Sequence, residues 1–247
     1  MMKGILLYCS MNAFFTGQII EEARKKANMT QAELAEKIGT NKSYISRVET
    51  GKTEQESVTE KDINMNEKES FNAESNINDV IHDSAFDDYG RLIFPVDMEI
   101  EDNLKLKDVS SILPWYSEVN TDKTVEIVNY MKNQAMNGEQ IFYPIYSEEE
   151  MQADADKKDT GLFFFRGNAG AKTTIINAGG GFVYVAGIHD SFPHALELSK
   201  KGYNAFALIY RPGAQTACED LSKAIAFISD HAEELQVDPD DYSLWGG

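Results

Sequence analysis

The sequence predicts an α/β protein in which a small all-α unit precedes a larger unit built on a mainly parallel sheet. Three observations support this fold class. Apolar residues recur at three- and four-residue steps near the N-terminus, and strand-like and helix-like segments alternate after about residue 90. The length of 247 residues, with 42% hydrophobic residues, is sufficient for two folded units.

The charges are divided unequally along the chain. Residues 1–53 hold 8 of the 23 Lys and Arg residues and 5 of the 41 Asp and Glu residues, so this part carries +3 and the rest carries −21. A strongly negative surface repels nucleic acids and anionic lipids. We therefore expect any phosphate-binding surface to lie within residues 1–53.

The first element is a group of three short helices between Gly17 and Gly51. Its apolar residues recur at helical steps, with interruptions at Asn28 and Gly39. Thr30 and Glu33 have the spacing of a capping box at the start of the second helix. The apolar residues are Ile19, Ile20, Ala23, Ala27, Leu34, Ala35, Ile38, Ile45 and Val48.

Residues 17–52, which include MTQAELAEKIGTNKSYISRVETGK, are similar to the helix-turn-helix of the phage-repressor (Cro/repressor, XRE-type) family. Ala35 is small where two helices must cross closely, and Gly39 suits the left-handed residue that ends a helix. Ile45 and Val48 hold the third helix against the first two. The resemblance implies binding to double-stranded DNA and regulation of transcription.

The resemblance also implies which side chains contact DNA. Those at the start of the third helix enter the major groove, where amine and hydroxyl groups bind base edges, and the start of the second helix contacts phosphate. The predicted DNA-binding residues are Gln31, Lys42, Ser43, Tyr44, Ser46 and Arg47, with Arg24 and Lys52 as weaker phosphate candidates. The alternative interpretation is a helical hairpin with a solvated charged face.

Residues 54–89 depart from the family, which continues with a Pro and two further helices. Here 11 acidic residues and 2 Lys follow without a sustained hydrophobic period, so we predict a disordered acidic linker. A helical unit ending at residue 53 is too short to be stable without help. Residues 1–16, a partner chain or the second domain would have to support it.

Residues 90–247 form the predicted second domain, in which strands and helices alternate. The predicted strands are RLIFPVD (91–97), QIFYPIYS (140–147), GLFFFRG (161–167), KTTIINA (172–178), YNAFALIYR (203–211) and DYSLWGG (241–247). Helices are expected over residues 122–136, 189–202 and 217–235. Thr216 and Glu219 fit a capping box, and Pro239 is expected to terminate the last helix.

The order of these elements resembles the N-terminal half of an α/β-hydrolase of the esterase or lipase kind. In that family, a strand followed by glycines forms the oxyanion loop, whose backbone N–H groups stabilise the tetrahedral intermediate. The resemblance assigns Gly180 and Gly181 as the oxyanion-hole donors. Asn177 and Ala178 precede the glycines, where the family usually has His.

The resemblance stops one residue before the expected nucleophile. The family's elbow reads G-x-S-x-G, and the sequence ends in Trp245-Gly246-Gly247. Since the acid and His follow the Ser in this fold, the whole triad is expected beyond residue 247, and the chain as given is predicted to be inactive. We interpret His189 and Asp190 as loop or helix-cap residues. The exposed edge at residues 242–245 predicts aggregation or a partner.

Three functional hypotheses follow from the sequence. The first is a DNA-binding regulator with a catalytically incomplete, truncated hydrolase-like half, and the second is a fragment of a serine esterase whose small ester substrate needs a longer chain. The third is a joining of two unrelated genes. We expect a cytoplasmic protein without membrane spans, cofactors or metal, with Cys9 and Cys218 as reduced thiols. A homodimer is expected because operators have two-fold symmetry.

Overall fold

The computed structural model describes residues 21, 24–26, 29–37, 42, 45–46 and 70–247. The chain divides into two compact units, Met1–Glu69 and Ser70–Gly247. In the first unit, the described residues include helix α1 (Gln31–Lys37). The predicted linker over residues 54–69 lies outside the described residues.

The second unit contains a five-stranded sheet and the helices that flank it. Its helices are α2 (Ile77–Ile81), α3 (Thr121–Met136), α4 (Glu148–Ala153), α5 (Phe192–Lys200), α6 (Ala214–Asp230) and α7 (Ala232–Leu235). Its strands are β1 (Phe142–Pro144), β2 (Gly161–Phe165), β3 (Lys172–Asn177), β4 (Asn204–Ile209) and β5 (Asp238–Gly246). Three 3₁₀-helices (Ser84–Ile93, Leu106–Ser111, Ala155–Asp159) and a π-helical turn (Gly187–Ser191) complete the set among the described residues.

The strand order is β1-β2-β4-β3-β5. β3 is parallel to both β4 and β5, whereas β2 is antiparallel to both β1 and β4. Four of the five strands in the described sheet therefore run in one direction, and the prediction of an α/β fold with a mainly parallel sheet is confirmed. After β3 the chain moves to β4 on one side, and after β4 it crosses to β5 on the other. The carboxyl end of β3 thus lies where the strand order reverses, which is where ligands bind in open α/β sheets.

The central strands are buried because both faces of the sheet are covered. All residues of β2 and β4 are buried, as expected for strands that read as continuous apolar runs. Aromatic rings fill the two faces: the Phe164 and Phe206 rings stack with centroids 4.1 Å apart, and the Phe163 and Phe192 rings meet edge to face at 4.9 Å. This core fixes the position of β3 and of the loop that follows it.

A buried ion pair ties the end of β4 to α6. Asp220 is fully buried, and its Oδ1 accepts from Arg211 Nη2 at 2.7 Å and from Tyr146 Oη at 2.5 Å. Asp220 Oδ2 also accepts from the Arg211 backbone N–H at 2.7 Å. These bonds compensate for removing the carboxylate from water.

Residues 70–89 correct the predicted boundary of the linker. They form α2 and the start of a 3₁₀-helix, and Ile77, Val80 and Phe86 are completely buried in the core. Polar side chains cap these short elements: Asn76 Oδ1 accepts from the Asn78 N–H at 2.8 Å. The sequence pattern led to the prediction of a linker because few apolar residues anchor this acidic segment to the core.

The predicted strand over residues 91–97 is also wrong. Its first residues continue the 3₁₀-helix to Ile93, and its end contributes a single β-bridge between Val96 and Val185. The Arg91 guanidinium donates to the carbonyl oxygens of Pro95 and Met98, which holds the segment in a turn. An apolar run alone does not distinguish such a buried turn from a strand.

Two predicted helix boundaries differ in the structure. α6 begins after Gly213 (φ 110°), and the Thr216 hydroxyl, inside the first turn, donates to the Pro212 carbonyl at 2.7 Å instead of capping the helix with Glu219. The last helix ends at a left-handed Gln236 (φ 57°), and Pro239 lies within β5. The predicted helix over 122–136 is confirmed as α3.

Candidate functional site

The predicted capping box at the start of α1 is present. The Glu33 N–H donates to Thr30 Oγ1 at 3.2 Å, and the Thr30 N–H donates to Glu33 Oε2 at 2.7 Å. The two side chains satisfy two N–H groups that have no partner inside the helix. Gln31, the predicted phosphate contact, is the first residue of α1 and is half-buried.

The predicted packing residues of the first unit are buried where the structure describes them. Ala35 is 3% exposed and Ile45 is 2% exposed. Such burial matches their predicted role in holding the helices together. Ile38, Gly39 and Val48 lie outside the described residues.

Two of the predicted residues of the third helix are described. Lys42 is helical and exposed to solvent, and Ser46 is helical and half-buried. The remaining predictions for this face, Ser43, Tyr44 and Arg47, lie outside the described residues, as does Lys52. The Arg24 guanidinium donates to the Met29 carbonyl at 2.7 Å, so this weaker phosphate candidate already has a structural contact.

The glycine loop, residues 178–181, follows β3 directly. Gly180 and Gly181 have φ values of 150° and 59°, in the region that favours glycine. A Cβ at Gly180 would overlap the carbonyl oxygen of Tyr184, whereas a Cβ at Gly181 would meet no atom. Glycine is therefore required at residue 180 by both its backbone angle and its neighbours.

Side chains and backbone groups hold the glycine loop at its start. Asp190 Oδ2 accepts from the Gly179 N–H at 2.5 Å, and the Tyr210 hydroxyl donates to the Ala178 carbonyl at 2.7 Å. The Gly179 carbonyl accepts from the Ala186 N–H at 3.1 Å. Asp190 was interpreted as a loop or helix-cap residue, and the structure shows that its carboxylate fixes the loop.

These contacts leave two N–H groups of the glycine loop unbonded. Among the described residues, no acceptor is bonded to the N–H of Gly180 or Gly181. Both residues line a cavity of about 300 Å³ at the carboxyl end of β3. The other lining residues are Asn177, Ala178, Gly179, Phe182, Tyr210, Ala217, Cys218, Leu221, Gly246 and Gly247. The cavity thus combines adjacent backbone donors with a largely apolar wall.

His189 is a buried structural residue. Its side chain lies 7% exposed with Nε2 3.0 Å from the Val109 carbonyl, and burial lowers its pKa to about 4. The imidazole is therefore neutral near pH 7, with its proton on Nε2. His194 is exposed and its ring lies 6.2 Å from the Trp245 ring, and His231 Nδ1 lies 2.8 Å from the Phe227 carbonyl.

Aromatic side chains behind the glycine loop were not identified from the sequence. The Trp115 Nε1–H donates to the Tyr184 hydroxyl at 2.6 Å. Burial, and then a hydrogen bond with Tyr184, raise the pKa of Tyr116. The Tyr116 hydroxyl packs against Gly179, where a Cβ would meet it. Residues this distant in sequence carry no periodic signal that would place them beside the loop.

Comparisons with known proteins support the two halves of the sequence interpretation differently. Residues 20–56 match the HTH_3 family, described as helix-turn-helix, so the predicted helix-turn-helix is confirmed. No curated protein matches the chain in sequence. No helix in the described part of the chain is long and apolar enough to span a membrane.

Several solved structures are similar to part of the chain. An acetyl ester-xyloside bifunctional hydrolase from Caldicellulosiruptor lactoaceticus is 22% identical, with a TM-score of 0.38, over 42% of this chain and 41% of that chain. The butyrate-bound esterase Est2 from Thermogutta terrifontis is 21% identical, with a TM-score of 0.35, over 43% and 39%. Esterase B from Lactobacillus rhamnosis is 21% identical, with a TM-score of 0.36, over 43% and 34%. The chain spans about two fifths of the length of these proteins.

Proposed function

We propose that this protein is a cytoplasmic DNA-binding regulator of transcription whose helix-turn-helix reads double-stranded DNA. The match of residues 20–56 to a helix-turn-helix family carries the proposal. The exposed, helical Lys42 supports it, because a long amine at this position can reach a base edge or a phosphate. The charge of +3 on residues 1–53, in a chain of net charge −18, favours this segment as the DNA-binding surface.

In the proposed complex, the third helix lies in the major groove. Lys42 and Ser43 contact base edges, Tyr44, Ser46 and Arg47 contact bases or phosphates, and Gln31 contacts phosphate. Each Lys or Arg that neutralises a phosphate releases counterions, so affinity falls as salt is added.

The test is to select DNA with the full-length chain and to measure its affinity across salt concentrations. For the double variant Lys42→Ala/Arg47→Ala, we expect an affinity loss of at least about tenfold and a salt slope smaller by about 1 to 2. Lys25→Ala is the matched control, because Lys25 is an exposed lysine of the same unit that pairs with Glu21 at 2.6 Å. If the double variant keeps the affinity and salt slope of the unsubstituted chain, the proposal is wrong.

A second candidate function concerns the α/β unit. The unbonded N–H groups of Gly180 and Gly181 beside an apolar wall favour binding of a small acyl group through its oxygen. We propose that this cavity is the oxyanion-binding part of a carboxylic-ester hydrolase site whose Ser, acid and His are not among residues 90–247. On this proposal we expect residues 1–247 alone to be inactive towards short p-nitrophenyl esters, because the nucleophilic Ser lies outside them.

Three measurements test this second candidate. Butyrate should shift the amide NMR signals of Gly180 and Gly181 and leave those of Gly138, an exposed glycine at the end of α3, unchanged. Uniform shifts, or none, would contradict acyl binding. The intact mass of the protein from its own cell distinguishes a 247-residue regulator from a longer hydrolase, and ester turnover by the 247-residue chain, blocked by a serine-directed phosphonate, would contradict its inactivity.

A further inference from the structure

A cavity beside β1 is separate from the one at the glycine loop. Its volume is about 550 Å³, within the range of about 300–1,000 Å³ that is typical of small-molecule sites. It is formed by the 3₁₀-helix Ser84–Ile93, by β1, by α4 and by the 3₁₀-helix Ala155–Asp159. Its lining residues all differ from those of the glycine-loop cavity. We call it the β1 cavity.

One side of the β1 cavity is apolar and firmly packed. Leu92 and Phe142 are buried, and Tyr89 and Met151 are half-buried. The Tyr89 and Phe142 rings stack with centroids 5.2 Å apart, and the Tyr89 hydroxyl donates to the Ala85 carbonyl at 3.2 Å. This side therefore offers a rigid surface to the apolar body of a ligand.

Most of the exposed side chains that line the β1 cavity are acidic: Asp87, Asp88, Glu148 and Asp159. One basic side chain, Lys158, also lines the cavity, so four negative charges and one positive charge give its lining a net charge of −3. Among the described residues, the carboxylates of Asp87, Asp88 and Glu148 accept no hydrogen bond and form no salt bridge. The lining therefore carries negative charge that the described residues leave without a direct partner.

Other acidic side chains of the same elements are paired. Asp83, which caps the 3₁₀-helix Ser84–Ile93, lies 2.8 Å from Lys132 Nζ. Glu150 of α4 lies 3.0 Å from Lys223 Nζ. The contrast within the same short elements distinguishes the carboxylates at the cavity from those that stabilise the fold.

The backbone of Asp87 has an unusual conformation. Its φ is 42° and its ψ is −130°, whereas the preceding Phe86 is completely buried and anchors the segment. Residues other than glycine keep such angles only when their surroundings hold them, and these residues concentrate at ligand sites. The strained residue lies at the β1 cavity and contributes one of its unpaired carboxylates.

The chemistry of the lining restricts the class of ligand. Its net charge of −3 disfavours anions. Across the part of the chain that the structure describes, no three His, Cys, Asp or Glu side chains come together as metal ligands, so a metal ion is not favoured either. An organic cation uses both parts of the lining, because its charge faces carboxylates and its body covers aromatic rings.

We propose that the β1 cavity binds a small organic cation, a protonated amine with an apolar body. The body packs against Tyr89, Leu92 and Phe142, and the ammonium group faces Asp88 and Glu148. The inference goes beyond both proposed functions, and its test needs neither DNA nor an ester.

The experiment is a titration of the full-length chain with phenethylamine, followed by the methyl NMR signals of methionine. Met151 lines the β1 cavity, and its signal is identified by its loss in Met151→Leu. Phenethylamine should shift this signal to saturation and leave that of Met136, an exposed residue of α3, unchanged. Phenethyl alcohol, which has the same body without the charge, should bind at least about tenfold more weakly.

A matched pair of double variants tests the carboxylates. Asp88→Asn/Glu148→Gln removes two charges from the lining and should weaken phenethylamine about fivefold or more. The control, Asp156→Asn/Glu149→Gln, removes the same two kinds of charge from exposed residues that do not line the cavity. The control should keep the affinity of the unsubstituted chain. Unchanged signals of the other methionines show that each variant remains folded.

Each outcome decides for or against the proposal. Saturable binding at Met151 that weakens in Asp88→Asn/Glu148→Gln and not in the control supports it. A Met151 signal that does not respond to phenethylamine overturns it. Equal binding of phenethyl alcohol would reduce the site to a nonspecific apolar surface. Equal weakening in both double variants would show that only the general negative charge of the chain attracts the amine.

Discussion

The helix-turn-helix segment and the α/β unit differ in the atoms that present their chemistry. In the first, the predicted DNA contacts are side chains such as the exposed Lys42, and the prediction rests on motif spacing alone. In the second, the groups facing the cavity are the backbone N–H groups of Gly180 and Gly181. Their directions depend on contacts from Asp190 and Tyr210, which the motif does not contain.

This difference has a consequence for mutation. A substitution in the helix-turn-helix can remove a predicted contact with DNA and leave the backbone unchanged. In the α/β unit, the same number of atoms removed from a supporting residue changes the backbone that forms the site. We therefore expect large effects on stability from substitutions in the α/β unit and small ones from substitutions in the first unit.

The largest effect is expected from Asp220→Ala. Arg211 would lose its buried carboxylate partner, and breaking a buried ion pair costs about 3–5 kcal/mol of unfolding free energy. Urea unfolding can be followed by tryptophan fluorescence, because both tryptophans of the chain, Trp115 and Trp245, lie in the α/β unit. Glu219→Ala is the control, since Glu219 lies 3.6 Å from Arg211 and is exposed. An equal loss of stability in Asp220→Ala and Glu219→Ala would show that the buried ion pair is not the source of the effect.

The next effect concerns acid stability of the α/β unit. Burial lowers the pKa of His189 to about 4 from an unfolded value near 6.5, so the folded state binds fewer protons in between. The stabilisation is complete above pH 6.5 and falls as the pH approaches 4, by about 3 kcal/mol in total. As the pH falls from 6.5 to 5, the unfolding free energy should decrease by about 1 kcal/mol per pH unit.

His189→Gln isolates this contribution. Gln does not titrate, so the slope between pH 5 and 6.5 should flatten even if the overall stability changes. His194→Gln is the matched control, because the His194 ring is exposed. An equal flattening in both variants would show that the slope does not come from the buried imidazole.

The glycine loop should respond unequally to two substitutions of the same kind. Gly180→Ala introduces a Cβ against the Tyr184 carbonyl at φ 150°, and overpacking with strain costs about 2–3 kcal/mol. In Gly181→Ala the added Cβ meets no atom. The only cost in unfolding free energy is that of a left-handed backbone at φ 59°, about 1 kcal/mol. Unfolding free energies measured by tryptophan fluorescence check the order. Equal losses would mean that the Tyr184 carbonyl is not the constraint.

Continuous apolar runs made much of the α/β unit predictable. β2, β3, β4 and α3 were predicted because buried strands and an amphipathic helix leave clear patterns. The run over residues 91–97 has the same apolar character. However, the Arg91 guanidinium donates hydrogen bonds to the carbonyl oxygens of Pro95 and Met98, which holds the chain in a turn. The sequence pattern of apolar and polar side chains does not predict these hydrogen bonds.

The candidate sites divide in the same way. Gly180 and Gly181 could be predicted because the hydrolase family that the sequence resembles has a glycine run directly after a strand. The bond from Asp190 to Gly179 and the packing of Tyr116 depend on how separate segments meet in the fold. The sequence also did not predict the buried Asp220. A charged residue on a helix is usually solvated, and its partner, Arg211, lies in a different element, at the end of β4.

The smallest effect is expected from Thr30→Ala in the first unit. The substitution removes the hydroxyl that accepts the Glu33 N–H, and loss of an N-cap costs about 1 kcal/mol. Hydrogen exchange of the Glu33 and Leu34 amides in the full-length chain should accelerate about fivefold. Thr30→Ser retains the oxygen and should exchange as the unsubstituted chain does. An equal acceleration in Thr30→Ala and Thr30→Ser would mean that the hydroxyl oxygen of residue 30 does not cap α1.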